Sequence, residues 1–143
     1  MAKFVRGDVV VVPFPFSDLS QSKRRPALVI AVLEGNDAIL CQITSKTIKD
    51  TYSISINDTD FASGSLRQPG NIRPNRLFTA DSHIILYRAG SIKKEKLTQV
   101  VERIVEIIKG SIIPLTKSLQ RMRQTSAPRR AFPLDPRDYD YEE

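Results

Sequence analysis

Ala27-Leu-Val-Ile-Ala-Val-Leu33 and Ala38-Ile-Leu-Cys-Gln-Ile-Thr44, joined by Glu34-Gly-Asn-Asp37, decide how this chain folds. The first segment is apolar throughout, as a strand covered on both faces must be. Gly35 and Asn36 tolerate a positive φ, so the junction reads as a tight turn between antiparallel strands. Working outward on the N-terminal side, Asp8-Val-Val-Val-Val12 is another strand with no polar face. Pro13-Phe-Pro-Phe-Ser-Asp-Leu-Ser20 is expected to break regular pairing, because proline donates no ladder hydrogen bond. Gln21-Ser-Lys-Arg-Arg25 then reads as a basic loop closed by Pro26, and the residue before proline is held extended.

On the C-terminal side, Tyr52-Ser-Ile-Ser-Ile-Asn57 alternates apolar and polar residues, the mark of a half-exposed strand. Phe61 to Pro74 is punctuated by turn formers, which predicts short strands, and Leu77 to Thr79 and His83 to Tyr87 read as the last ones. The period then changes. Leu97, Val100, Val101, Ile104, Ile107 and Ile108 fall on one face of a helix over 94–109, with Gly110 placed to end it. Lys93 and Lys94 oppose the helix dipole, so the helix needs packing of its apolar stripe to hold it. Leu115, Leu119 and Met122 allow one more short helix, and Thr125 to Glu143 carries no periodicity and reads as disordered. The expected organisation is a folded unit over 1–110 and an extension over 111–143. Its fold class is mainly β with a C-terminal helix, a small curled sheet or barrel of antiparallel strands. Strands apolar on both faces need a cover outside as well, from the helix or from a second subunit, which favours a dimer.

Length and composition remove several functions. A chain of 143 residues buries roughly two-thirds of its unfolded surface and has a core without staples. A single cysteine, Cys41, forms no internal disulfide, and with the single His83 it cannot build a Cys/His zinc centre. A ribonuclease using two histidines is excluded on the same count. No Gly-x-Ser-x-Gly elbow and no phosphate-cradling Gly-x-x-x-x-Gly-Lys loop is present. No apolar run approaches the roughly 20 residues of a membrane span. Asp8, Pro13 and Pro15 interrupt the N-terminal apolar stretch, so it reads as a strand and not a leader, and the expected location is the cytoplasm.

The formal net charge is +6, and 1–110 carries sixteen Lys and Arg against eleven Asp and Glu. The excess therefore belongs to the folded part and points to a polyanion or an acidic protein. The densest basic spot is Lys23-Arg24-Arg25, beside Phe14 and Phe16. A guanidinium there can grip a phosphate with two parallel hydrogen bonds, and either phenylalanine can stack on an unpaired base. The same residues also read as a solvated charge run with phenylalanines plugging the barrel end. Thr44-Ser45-Lys46 ends a strand that, in an antiparallel arrangement, comes beside Arg25. A hydroxyl at that point can orient a phosphate oxygen, and it can equally be an ordinary β-branched strand residue. His83 and Lys93, Lys94 and Lys96 read as strand and helix surface.

Taken in order, Gly7-Asp8-Val-Val-Val-Val-Pro-Phe-Pro-Phe-Ser-Asp-Leu-Ser20 and Lys23-Arg-Arg-Pro-Ala-Leu-Val-Ile30 resemble the PemK/MazF toxins, endoribonucleases of bacterial toxin–antitoxin pairs. Gln42 to Lys46, Asp60-Phe61 with Gly64, Arg73-Pro74, Leu77 to Thr79, Asp81-Ser82 and the helix over 94–109 extend the likeness to about residues 4–109. The resemblance implies an SH3-like barrel working as a homodimer, with an antitoxin partner whose acidic-hydrophobic segment folds across the basic groove. It implies cleavage of single-stranded RNA at short sequences with no metal and no other cofactor. It places catalysis on Arg25 and Thr44, with RNA contacts expected at Phe16, Ser17, Lys23, Arg24, Ser45, Lys46 and Ser82. Where some members carry Glu-Gln, this chain has Tyr87-Arg88. The competing expectation is a non-catalytic module of the same fold, binding RNA, antitoxin or a gyrase-type protein.

Overall fold

A computed structural model describes residues 4–14 and 23–112. Phe16, Ser17, the short helix expected around Leu115 to Met122 and the disorder expected from Thr125 lie outside the described residues. Among the described residues seven strands, β1 (Asp8–Phe14), β2 (Lys23–Val32), β3 (Asp37–Thr44), β4 (Ile54–Ile56), β5 (Phe61–Gly64), β6 (Gly70–Asp81) and β7 (Tyr87–Ile92), precede one α-helix, α1 (Lys94–Lys109). The strands form one antiparallel half-barrel sheet in the order β4-β6-β3-β2-β1-β7-β5. The curled antiparallel sheet with a late helix is the fold that the sequence pattern and the resemblance led us to expect.

Register explains why the central strands have no polar face. Val9, Leu28 and Cys41 are successive cross-strand partners on one side, and Val10 with Ala27, and Val29 with Leu40, lie on the other. The first set joins a core with Ile43, Ile56 and Ile72, covered by Val100 and Ile104 of α1. The second joins Val12, Ala80 and Ile85, with Phe4 and Ile84 packed against it. A one-residue slip would exchange the two cores, so the pairing is strongly specified.

Three expectations are corrected. Regular pairing does not stop at Pro13: Pro13 pairs with Arg24 and Phe14 with Lys23, so Lys23, Arg24 and Arg25 belong to β2 and not to a loop. The ladder from β7 reaches β1 only as far as Val11. Beyond it one edge of β1 has no partner among the described residues, and a proline there costs no ladder bond. Turn formers in 61–74 do not keep the strands short, because β6 runs for twelve residues from Gly70. Instead Arg73 and Pro74 sit inside it, past the point where β4 has ended its pairing at Ile72. His83 is not in a strand. It lies in a 3-10 turn, Ser82–Ile84, capped by the Asp81 side chain.

The helix spans the expected residues. Lys93 supplies no side-chain cap, and Gly110 closes the C-terminus in the left-handed region at φ 73°. Its stripe is buried at Val100 and Ile104, whereas Ile108 is 74% exposed. Lys96 is not on a wet face: its ammonium is 3.4 Å from Asp60 and donates to the Ser55 carbonyl at 3.0 Å. Arg103 donates to the carbonyls of Thr51 and Tyr52. These contacts supply the anchoring that the poor cap does not.

Candidate active site

The β2–β3 ladder ends at the pair Ala27 and Gln42. Pro26 has no N–H with which to extend it. Carried two residues further, the same register sets Arg25 across from Thr44. Both border a cavity of about 660 Å³ that opens where the ladder stops. Its opposite wall comes from the loop over 65–69 and from Tyr87, Arg88 and Ala89 at the start of β7. The loop reaches that wall because β5 lies beside β7, and Gly64 and Gly90 let the two backbones come together. A Cβ on Gly64 would stand 2.2 Å from the Ala89 carbonyl oxygen.

Thr44 is fixed more tightly than a strand end usually is. It is only 5% exposed. Its Oγ1 accepts the Lys46 backbone N–H at 3.2 Å, and the Lys46 carbonyl accepts Asn71 Nδ2 at 3.0 Å. Gly70, at the start of β6, borders the same cavity, and a Cβ there would meet the Thr44 carbonyl oxygen at 2.7 Å.

Charge at the cavity is of one sign. Arg24, Arg25, Arg67 and Arg88 border it, and no Asp or Glu does among the described residues. The Arg25 side chain has no ion-pair partner among them. Arg88 lies 3.4 Å from Asp8, whose carboxylate is buried and also accepts the Val5 N–H at 2.9 Å. Such a furrow suits consecutive phosphates of a single strand, with guanidinium groups to hold them and Tyr87 exposed at the rim.

The nine side chains singled out from the sequence divide as follows. Arg24, Arg25, Thr44 and Ser45 come together at the cavity. Lys23, exposed opposite Phe14, and Lys46, exposed in the turn after β3, lie in neighbouring segments but do not border it. Phe16 and Ser17 lie outside the described residues. Ser82 is not brought there. Asp81 pairs with Asp37 at the far end of β3 from Thr44. Seven steps of strand put roughly 24 Å between the two ends.

Arg67, Gln68, Gly70, Asn71 and Arg88 were not singled out as site residues. Pro69-Gly70-Asn71 before a long apolar alternation was the available signal for close backbone approach. Nothing local announces Arg67, since only the strand order brings β5 beside β7. Neither single-copy reactive side chain borders the cavity. Cys41 is fully buried and donates to the Arg73 carbonyl, and burial pushes its thiol from an ordinary 9.0 up to about 12. His83 is exposed and pairs with Asp81 at 2.9 Å. Among the described residues no group of three His, Cys, Asp or Glu side chains is placed to hold a metal ion. No described helix is long and apolar enough to cross a membrane.

Residues 5–108 match the sequence profile of the PemK-like, MazF-like toxin of type II toxin–antitoxin systems. No curated protein matches the chain in sequence. Among solved structures it resembles MazE–MazF from Deinococcus radiodurans, at a TM-score of 0.62 and 15% identity over 76% of this chain and 98% of that one. It also resembles an endoribonuclease in complex with its cognate antitoxin from a mycobacterial species, at 0.59 and 11% over 78% and 99%. A third is the Mycobacterium tuberculosis toxin MazF-mt6, at 0.55 and 12% over 71% and 96%. At these identities the likeness is one of fold.

Proposed function

The chain belongs to the PemK-like, MazF-like toxin family of type II toxin–antitoxin systems, and from that premise we propose that it is an endoribonuclease cutting single-stranded RNA at short sequences without a metal cofactor. The observation that carries this reading is the convergence of Arg25 and Thr44 on one cavity bordered by three further arginines.

RNA brings its own nucleophile. The ribose 2′-OH attacks the adjacent phosphorus, the bond to the 5′-oxygen breaks, and the products carry a 2′,3′-cyclic phosphate and a 5′-OH. The proton lost from the 2′-OH is matched by one gained at the leaving 5′-oxygen. The protein's task is to align the 2′-oxygen with the leaving group and to stabilise charge developing on the phosphoryl oxygens. Arg25 clamps that charge and Thr44 donates a hydrogen bond to one oxygen. Because the described lining holds no histidine, cysteine or carboxylate, its contribution is charge and alignment. An antitoxin segment of acidic and apolar residues fits the same furrow, and the reading includes a cytoplasmic homodimer.

The test is purified protein on an end-labelled RNA with excess EDTA, beside Arg25→Ala. Wild type is expected to leave cyclic phosphate and 5′-OH ends. Removal of one charge-stabilising group should lower kcat by roughly 10²–10³. A 2′-deoxy substitution at the cut nucleotide should block cleavage there. Tight binding with no new 5′-OH ends would establish the non-catalytic module instead, and equal cutting by Arg25→Ala would remove Arg25 from the mechanism.

A further inference from the structure

We infer that Asn71 is a positioning residue that sets the Thr44 hydroxyl as a hydrogen-bond donor into the cavity, an inference resting on Thr44 as the phosphate-binding hydroxyl. Asn71 faces Thr44 across the β3–β6 ladder. It does not border the cavity itself, so any effect it has on the reaction passes through its neighbour. Its amide nitrogen donates to the Lys46 carbonyl at 3.0 Å, and the Lys46 N–H donates to Thr44 Oγ1 at 3.2 Å. The backbone of Lys46 is thus held at both of its polar groups, by Asn71 on its carbonyl and by Thr44 on its N–H.

A hydroxyl has one proton and two lone pairs. One lone pair of Thr44 is taken by Lys46, and among the described residues no acceptor takes its proton. With the turn fixed, the group keeps its proton and one lone pair, and the space open to the proton is the cavity that Thr44 borders. Gly70 makes the arrangement possible, since any Cβ would push β6 away from the Thr44 carbonyl. Without the Asn71 amide, the turn over 44–46 loses the one side-chain tie to β6 that it has among the described residues, and the Thr44 hydroxyl is free to rotate or to follow the backbone.

The experiment compares wild type, Asn71→Ala, Thr44→Val and the double variant, with kcat and KM measured separately on one RNA substrate. Asn71→Ala should lower kcat about tenfold and leave KM within about twofold, because binding charges are untouched and only alignment is lost. In the Thr44→Val background the same change should add nothing. Losses that multiply, or a raised KM with kcat unchanged, would overturn the inference. Asn71→Val, a better strand former without a donor, replaces Asn71→Ala if the latter does not fold. Amide exchange of Lys46, read by NMR, judges the clamp apart from activity. It should accelerate about tenfold in Asn71→Ala and stay unchanged in Arg25→Ala. Inert wild type would refute the ribonuclease reading, whereas unaltered Lys46 exchange would refute the clamp, whichever way the RNA assay falls.

Discussion

Asp8 and Arg88 join the buried start of β1 to the cavity wall: the guanidinium, 48% exposed, lies 3.4 Å from a carboxylate that is 3% exposed. A half-exposed partner makes this pair weaker than a fully buried one, whose disruption costs ~3–5 kcal/mol. The carboxylate also holds the Val5 N–H. Asp8→Ala should therefore destabilise the protein by ~1–3 kcal/mol, the usual cost of losing hydrogen bonds to a charged group. It should also weaken binding of an uncleavable 2′-deoxy RNA several-fold, although Asp8 does not border the cavity. Urea unfolding and fluorescence anisotropy measure the two effects. Lost stability with unchanged RNA affinity would confine the pair to a structural role.

Two glycines should both lose stability on substitution by alanine but differ in what happens to activity. Gly35 has φ 73° with open space around it, and Gly70 has no positive φ but a backbone oxygen 2.7 Å from where a Cβ would stand. Gly35→Ala should cost ~1–2 kcal/mol through the left-handed conformation alone and leave activity per folded molecule unchanged. Gly70→Ala should cost ~1–3 kcal/mol by overpacking and in addition lower kcat, because β6 must move off Thr44. Matched loss of activity in both variants at a temperature where both are folded would contradict this division.

The parts of the fold legible in the sequence were those fixed by local pattern. The paired apolar runs around Gly35-Asn36, the extended Arg25 before Pro26, and the helix ending at Gly110 all rest on neighbours within a few residues. The proline-rich stretches misled because a proline's cost depends on whether its edge of the strand is paired. Pro13 lies beyond the reach of β7, and Pro74 lies past the last pair with β4, so both strands continue. Arg25 and Thr44 were legible as neighbours because a tight hairpin fixes which residues face each other. Arg67 and Arg88 were not, since their approach depends on β5 pairing with β7 across 28 residues of chain. Ser82 was drawn into the site by its motif, yet it sits at the opposite end of β3.

The four arginines at the cavity make a salt-dependence prediction. Each phosphate neutralised on a single strand contributes about −0.7 to the slope of log K against log salt, so four give a slope of about −3. Arg67→Ala and Arg88→Ala should each reduce the magnitude by ~0.7. A substitution at Arg76, which does not border the cavity, should leave it unchanged. Anisotropy titrations of a 2′-deoxy oligonucleotide over a range of salt concentrations give the slopes. A slope near zero in wild type would mean that the furrow does not track a nucleic-acid backbone.

Cys41 makes stability fall at high pH, and the sign follows from which state keeps the proton. Burial raises the folded thiol from 9.0 to about 12, opposed only in part by the backbone of Arg73. The unfolded thiol ionises from about 9 upward, while the folded one stays neutral. The contribution is therefore intact below pH 9 and is lost progressively between pH 9 and 12, by up to ~1.4 kcal/mol per pH unit. Tyrosines and lysines titrate in the same range, so the informative quantity is the difference between wild type and Cys41→Ala. The variant should be less stable at pH 7, since it leaves a cavity, but its stability should decline less steeply above pH 9. Urea midpoints at pH 7, 9 and 10 measure that difference, and parallel curves for the two proteins would mean that the thiol ionises in the folded state as readily as in the unfolded one.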